Sequence, residues 1–219
     1  MNDNQSPPGQ DGFSRRLVHA LLPKSLRMLA YRFRHPEFRL ESRLSDISRN
    51  GIESFLDSLA QKQVFSGNVL EIGAGKLREN YRRFATRATN YWRSDIRLWP
   101  DSTLELICDC TKTPFRDRSM DGIICCEVLE HVPESLAAMG EIGRILKPEG
   151  RLAVTVPFFY PLHGVDSEDR GDYWRFTPGN LKNLLRPDFE LLYENRTHMF
   201  FAGDPFVVNI QTLWKRKSG

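Results

Sequence analysis

The residues with the clearest chemical purpose lie in Val69-Leu70-Glu71-Ile72-Gly73-Ala74-Gly75, an apolar run that carries an acid near its end and breaks into a glycine turn. Without side chains, Gly73 and Gly75 permit a tight turn and let a ligand approach the backbone at the carboxyl end of a strand, where open α/β sheets bind ligands. Two further carboxylates fall at the ends of the next apolar runs. Asp95 stands close to the ~20-residue offset at which an acidic side chain meets ribose hydroxyls in nucleotide-binding α/β folds. A carboxylate suits that task because it accepts hydrogen bonds from both hydroxyls. Asp109 leads into Cys110-Thr111-Lys112-Thr113-Pro114-Phe115, where it could accept a hydrogen bond from an exocyclic adenine amine while the backbone of Cys110 meets the ring edge. A dinucleotide fingerprint wants a third glycine where Leu77 stands. A phosphate-cradling P-loop wants Ser or Thr after Gly-Lys, and Gly75-Lys76-Leu77 does not supply it.

These residues need strand tips to hold them, and the patterning provides strands. Amphipathic spacing of Ile47, Ile52, Phe55, Leu56 and Leu59 predicts a helix over Ser45 to Lys62. The expected order then runs strand Asn68 to Ile72, helix Leu77 to Arg87, strand Asn90 to Asp95, strand Leu104 to Cys108, strand Gly122 to Cys126, helix Ser135 to Leu146 and strand Arg151 to Val156. Alternation of this kind predicts parallel strands with crossover helices. Thr177 followed by Pro178 marks the cap and first position of a helix to Leu185. Two last strands, Phe189 to Glu194 and Phe206 to Trp214, have no helix between them and should form a hairpin. The expected fold is a Rossmann-like α/β open sheet of seven strands, mostly parallel with a C-terminal antiparallel strand, and helices on both faces.

At this point the chain resembles the class I S-adenosylmethionine-dependent methyltransferases, especially their small-molecule branch. The resemblance covers about Val69 to Phe158. It is carried by the glycine turn, Asp95, Asp109 with Pro114-Phe115, Ser119-Met120-Asp121-Gly122-Ile123-Ile124, Cys126-Glu127-Val128-Leu129-Glu130-His131-Val132 and Leu146-Lys147-Pro148-Glu149-Gly150. It implies S-adenosyl-L-methionine as cofactor, with Glu71 and the Gly73 to Gly75 turn at the methionine end, Asp95 on the ribose, Asp109 and Cys110 at the adenine, and Glu127 and Val128 beside the sulfonium. His131 would be a structural or supporting histidine. Leu77 replaces the family's usual third glycine. Downstream, Val156-Pro157-Phe158-Phe159-Tyr160-Pro161-Leu162-His163 and Asp172-Tyr173-Trp174-Arg175-Phe176-Thr177-Pro178 look like the insert of bacterial methyltransferases of glycan or natural-product pathways. An insert at about 158–176 lies on the carboxyl side of the sheet and would form a substrate wall or lid.

Methyl transfer from a sulfonium is an in-line displacement, so the protein must align acceptor, methyl and sulfur and supply a base where the acceptor is a hydroxyl. His163 is the expected base, with Asp172 orienting it or acting itself. Tyr173 and Arg175 would bind a small polar acceptor, such as a sugar hydroxyl or a glycan-pathway intermediate. The alternative for this group is an Asp172–Arg175 pair that holds the insert while the aromatics pack. Competing functions are a nucleic-acid methyltransferase, a non-catalytic S-adenosylmethionine-binding module and a nicotinamide oxidoreductase, the last disfavoured by Leu77 and Asp109.

The bulk properties frame these readings. A chain of 219 residues with 40% hydrophobic and 11% aromatic content is that of a folded globular protein with one main core. Residues 1–12 read as a disordered leader, 13–44 as a basic helical extension, and 45–219 as the methyltransferase domain. The first 50 residues hold nine Lys/Arg against five Asp/Glu. Such a segment could cover the core, meet a membrane surface or contact an anionic substrate. No recognition motif accompanies it, so no nucleic-acid partner is expected. No apolar run is long enough to span a bilayer and the start is not a signal peptide, so the expected location is cytoplasmic. Cys108, Cys110, Cys125 and Cys126 lie in apolar strands as reduced thiols, and neighbours in a strand point to opposite faces, so no metal is expected from them.

Overall fold

Strand β1 (Ser66–Ile72) shows how the sheet is built: Val69 and Glu71 turn to one face while Leu70 and Ile72 turn to the other, and all four are buried. The same alternation repeats in β2 (Arg87–Asp95), β4 (Met120–Cys126) and β5 (Leu146–Pro157), each buried on both faces near its end as parallel strands require. The computed structural model describes residues 36–75, 81–99, 102–163 and 171–218. The chain divides into a unit ending at Arg43 and a unit from Leu44 onward. The leader and most of the basic extension lie outside the described residues.

The seven-stranded sheet has the order β3-β2-β1-β4-β5-β7-β6, where β3 is Leu106–Ile107, β6 is Phe189–Phe201 and β7 is Asp204–Arg216. Strands β1 to β5 pair in parallel, and β7 enters antiparallel between β5 and β6. This is the expected Rossmann-like sheet. Its order reverses at β1 and β4, which places a crevice at their carboxyl ends. Helix α1 (Pro36–Gln61) covers one face with Ile52, Phe55, Leu56 and Leu59 packed on Val69, Tyr91, Ile124 and Leu213. Helices α2 (Ser135–Ile145) and α3 (Pro178–Leu185) cover the other, against Leu70, Ile123, Val154 and Trp214. Cys125 and Cys126 fall into these two different cores. Among the described residues no helix is long and apolar enough to cross a membrane.

Beyond shifts in strand ends, three elements depart from the sequence expectation. Helix α1 begins at Pro36, not Ser45, and runs as one piece through the boundary expected at residue 44. The helix expected over Leu77 to Arg87 is replaced, in its described part, by a 3-10 turn, Tyr81–Phe84, because Arg87 already pairs with Ser66 and opens β2. Strand β3 is reduced to two residues at an edge. The flanking Glu105 and Cys108 amides still donate to Arg93 and Asp95 carbonyls at 3.0 and 2.9 Å, but Ile107 is exposed and buries nothing that would extend the strand. Thr177 caps α3 as expected, its side chain accepting from the Asn180 amide at 3.2 Å.

Candidate functional site

At the switch point the glycine turn is forced by geometry. Gly73 has φ +70°, and a Cβ there would stand 2.3 Å from Val128 Cγ2. The turn is held from beneath by Arg93, a buried guanidinium that donates to the Ala74 carbonyl at 3.3 Å, to the Thr103 carbonyl at 2.7 Å and to the Thr103 hydroxyl at 2.8 Å. Its countercharge is Glu71, whose carboxylate lies 3.5 Å from Arg93 Nε and accepts from the Tyr91 hydroxyl at 2.7 Å. Burial pushes the Glu71 carboxyl upward in pKa, against the opposing pull of Tyr91 and Arg93. Glu71 therefore spends its hydrogen-bonding capacity on shaping the turn, and sequence reasoning missed Arg93 and Tyr91 as its partners. The available signal was an arginine on the inward-facing register of an apolar strand.

Two cavities open at these strand tips. The first, of about 270 Å³, is lined by Gly73, Gly75, Asp95, Asp109, Cys110 and Val128 among others. Asp95 Oδ2 accepts the Gly75 amide at 2.7 Å, which fastens the glycine turn to β2 and leaves Oδ1 with only a long 3.5 Å contact from the Arg97 amide. Asp109 Oδ1 accepts both the amide and the hydroxyl of Thr111 at 2.8 Å, fixing the loop that presents Cys110. Burial pushes the Cys110 thiol up to about 12, so it is an apolar wall rather than a nucleophile. Ile96 and Trp99 also line this cavity and supply apolar surface that the sequence reading did not assign. Ile96 immediately follows the acid that ends β2, and Trp99 comes four residues after that acid.

The second cavity, of about 460 Å³, lies between α1 and the sheet and is lined by Ser48, Arg49, Glu53, Tyr81, Tyr160 and His163, together with Glu71. Gly73 and Glu127 border both cavities. Glu127 adopts a left-handed backbone conformation (φ +54°), rare for a residue with a side chain. It turns its carboxylate onto the Thr155 hydroxyl at 2.9 Å and the Asn209 amide nitrogen at 2.5 Å. Asn209 is itself held by Gln211 at 2.7 Å, and Gln211 by Thr197 at 2.6 Å, so a buried polar chain runs from β4 across β5 and β7 to β6. Burial raises the Glu127 pKa against these hydrogen bonds and the charge of Arg175.

The insert is organised by Asp172, whose side chain is wholly buried. It pairs with both terminal nitrogens of Arg175, accepts the His163 amide at 3.0 Å and faces His163 Nδ1 at 3.1 Å. Burial alone would raise its pKa, but Arg175 and His163 hold it below the ordinary value. Both carboxylate oxygens are thus engaged, and Asp172 is placed to orient His163 rather than to take a proton itself. Arg175 is committed to the same clamp and to the Tyr160 and Pro161 carbonyls at 3.3 Å. Tyr173 is half exposed and borders neither cavity. The amides of Tyr173 and Trp174 donate to the Glu130 carbonyl at 2.8 and 3.3 Å, which ties the insert to the turn after β4. Of the four residues expected to act on the acceptor, His163 alone faces a cavity.

Comparison with known proteins fits this layout. Residues 70–154 match the family described as a methyltransferase domain. Among curated proteins, an uncharacterized protein of Methanocaldococcus jannaschii is 33% identical over 108 residues, 47% of each chain. The ubiquinone/menaquinone biosynthesis C-methyltransferase UbiE of Paraburkholderia phymatum is 32% identical over 112 residues, covering 44% of this chain and 46% of that one. The chain thus matches about half the length of these curated relatives. Among solved structures, a Burkholderia thailandensis 1,6-didemethyltoxoflavin-N1-methyltransferase with bound S-adenosylhomocysteine superposes with TM-score 0.58 at 17% identity, covering 98% of this chain and 94% of that one. The N-methyltransferase NodS of Bradyrhizobium japonicum gives 0.57 at 13% identity over 78% and 97%. Residues 70–154 thus match a methyltransferase domain, and the fold is shared with solved methyltransferases, one of them holding S-adenosylhomocysteine.

Proposed function

We propose that the chain transfers a methyl group from S-adenosyl-L-methionine to a small polar acceptor, a hydroxyl of a sugar or glycan-pathway intermediate being the favoured class. The carrying observation is the pair of cavities that share Gly73 and Glu127, one framed by the carboxylates of Asp95 and Asp109 and the other lined by polar side chains.

The residues present suit the cofactor. Gly73 lacks the Cβ that would fill the approach beside Val128, Asp95 keeps an oxygen for ribose hydroxyls, and Asp109 and Cys110 face the adenine end between Ile96 and Trp99. Bound there, S-adenosylmethionine supplies an electrophilic methyl on a positively charged sulfur. Glu127, clamped by Thr155 and Asn209, sets a fixed carboxylate at the junction through which the acceptor must reach that methyl. His163 borders the acceptor cavity with Nδ1 directed at Asp172, so its other nitrogen is the one that would receive a hydroxyl proton. Ser48, Arg49 and Glu53 offer the donors and acceptors that a hydroxylated molecule needs when it leaves water.

The test is incubation with methyl-labelled donor and a panel of sugar nucleotides and glycolipid extracts. Label should pass to one acceptor class, and His163→Ala should lower turnover by about 100-fold or more while changing donor affinity little. Saturable donor binding with no transfer to any acceptor would favour a cofactor-binding module instead. Unaltered turnover in His163→Ala would remove it as the base.

A further inference from the structure

Glu130 is the least satisfied charged group among the described residues. Its side chain has no exposed surface, and neither carboxylate oxygen has a hydrogen-bond partner. A carboxylate removed from water in this way is costly unless a positive partner meets it. Glu127 and Asp172 repel its charge, Arg175 attracts it, and two imidazoles stand against it. His131 Nε2 lies 3.7 Å from Glu130 Oε1, and the His131 and His163 rings meet edge to face with centroids 4.7 Å apart. One ligand atom from each of the three side chains falls within 4.8 Å of the other two.

The hydrogen bonds around the two imidazoles fix their tautomers. His131 Nδ1 lies 2.8 Å from the Gly171 carbonyl, which only accepts, so that nitrogen carries the proton. His163 Nδ1 lies 3.1 Å from Asp172 Oδ2 and 3.3 Å from the Pro161 carbonyl, and carries a proton for the same reason. With Nδ1 protonated, Nε2 is the nitrogen of each ring that can ligate. A carbonyl or carboxylate behind the far nitrogen is the arrangement that orients metal-ligating histidines and strengthens them as donors. Donor atoms of a tetrahedral zinc centre, bonded at about 2.0–2.1 Å, sit roughly 3.3 Å apart, so a bound ion would draw these side chains together by up to about 1.5 Å.

We propose that Glu130, His131 and His163 form a binding site for a divalent transition-metal cation, with Gly171 and Asp172 supporting the two histidines. Two imidazoles and one carboxylate match the donor preference of zinc, iron(II) and related ions, and three protein ligands leave coordination positions open. His163 borders the acceptor cavity and His131 the cofactor cavity, so the cation stands beside their junction. Resting on the methyl-transfer reading, an acceptor hydroxyl that completes the shell would be more acidic. Its proton leaves to solvent as the new O–CH3 bond forms and the S–CH3 bond breaks, yielding a neutral thioether. His163 then serves as a ligand and the cation assumes its task as activator.

The experiment is isothermal titration of EDTA-treated full-length protein with zinc chloride, beside visible spectra with cobalt(II) chloride and titration with S-adenosylmethionine. Wild type should bind one equivalent of zinc and give a cobalt spectrum of nitrogen and oxygen coordination without a thiolate charge-transfer band. Glu130→Gln and His163→Ala should each weaken zinc by about 100-fold or more, and Asp172→Asn by about 10–100-fold. Should Glu130→Gln fail to fold, His163→Gln and the wild-type cobalt spectrum still decide the matter. No stoichiometric zinc in wild type, unchanged affinity in the folded variants, or a thiolate spectrum overturns the site. Metal binding without S-adenosylmethionine binding would instead refute the methyltransferase reading and leave the site standing.

Discussion

The two cavities are built by different means. The proposed cofactor side is made from strand tips, where Asp95 is fastened by the Gly75 amide, Asp109 by Thr111, and Gly73 leaves the space that Val128 fills. The acceptor side is made from α1, the turn after β4 and the insert, joined through long-range contacts such as His131 to Gly171 and Glu127 to Asn209. A fixed nucleoside needs a constant grip, whereas an acceptor pocket assembled from loops can change without disturbing the sheet.

The sharpest test of this division is Gly73→Val. Its left-handed backbone and the 2.3 Å approach to Val128 leave no room, so donor binding should be lost and stability should fall by about 2–4 kcal/mol, read by calorimetry and thermal melting. Asp95→Ala should come next, weakening donor binding by about 10–100-fold through lost ribose hydrogen bonds while acceptor binding stays intact. Wild-type donor affinity in that variant would count against the cofactor assignment. A smaller effect concerns the loop that carries the adenine side. Glu141 accepts the Thr113 amide at 2.7 Å and its hydroxyl at 2.6 Å, and pairs with Arg144. Chiefly the Arg144 hydrogen bonds hold its pKa down to about 2. Because that folded-state pKa is depressed, the stabilisation is complete above pH 4.5 and is lost as pH falls towards 2. Glu141→Gln should cost about 1–2 kcal/mol in chemical denaturation at neutral pH and flatten that acid slope. The smallest change is Thr177→Ala, which removes the α3 cap and should cost about 1 kcal/mol without altering donor affinity.

The same division explains what could be read from sequence. Strand tips write themselves locally: an apolar run, an acid and a glycine turn suffice to place Glu71, Gly73, Asp95 and Asp109, and Thr177-Pro178 announces a helix start. The mostly parallel sheet with its antiparallel C-terminal strand followed from alternation and from the missing helix before β7. Periodicity misjudged the described part of 77–87, where a few apolar residues, Phe84 and Ala85 among them, reach the core from a single turn. It also stopped β6 early, since its outer arm toward Phe200 and Phe201 is exposed and carries no burial signal. The acceptor side was harder because its meaning lies in pairings distant in sequence. The sequence left Asp172 and Arg175 open between acting on the acceptor and pairing to hold the insert, and the fold makes the pair. Glu130 looked like one acid in a family motif until the fold set it against two imidazoles.

The place of β7 has a consequence for how the protein is made. This strand slides between β5 and β6, and its Asn209 is one of the two groups that grip the carboxylate of Glu127. A nascent chain that has left the ribosome only as far as β5 already owns the tips proposed to hold the nucleoside, but the β4 corner still lacks half its anchor. Ligand grip and reaction geometry would therefore mature at different moments of synthesis, the second waiting for a strand translated long after the residues it steadies.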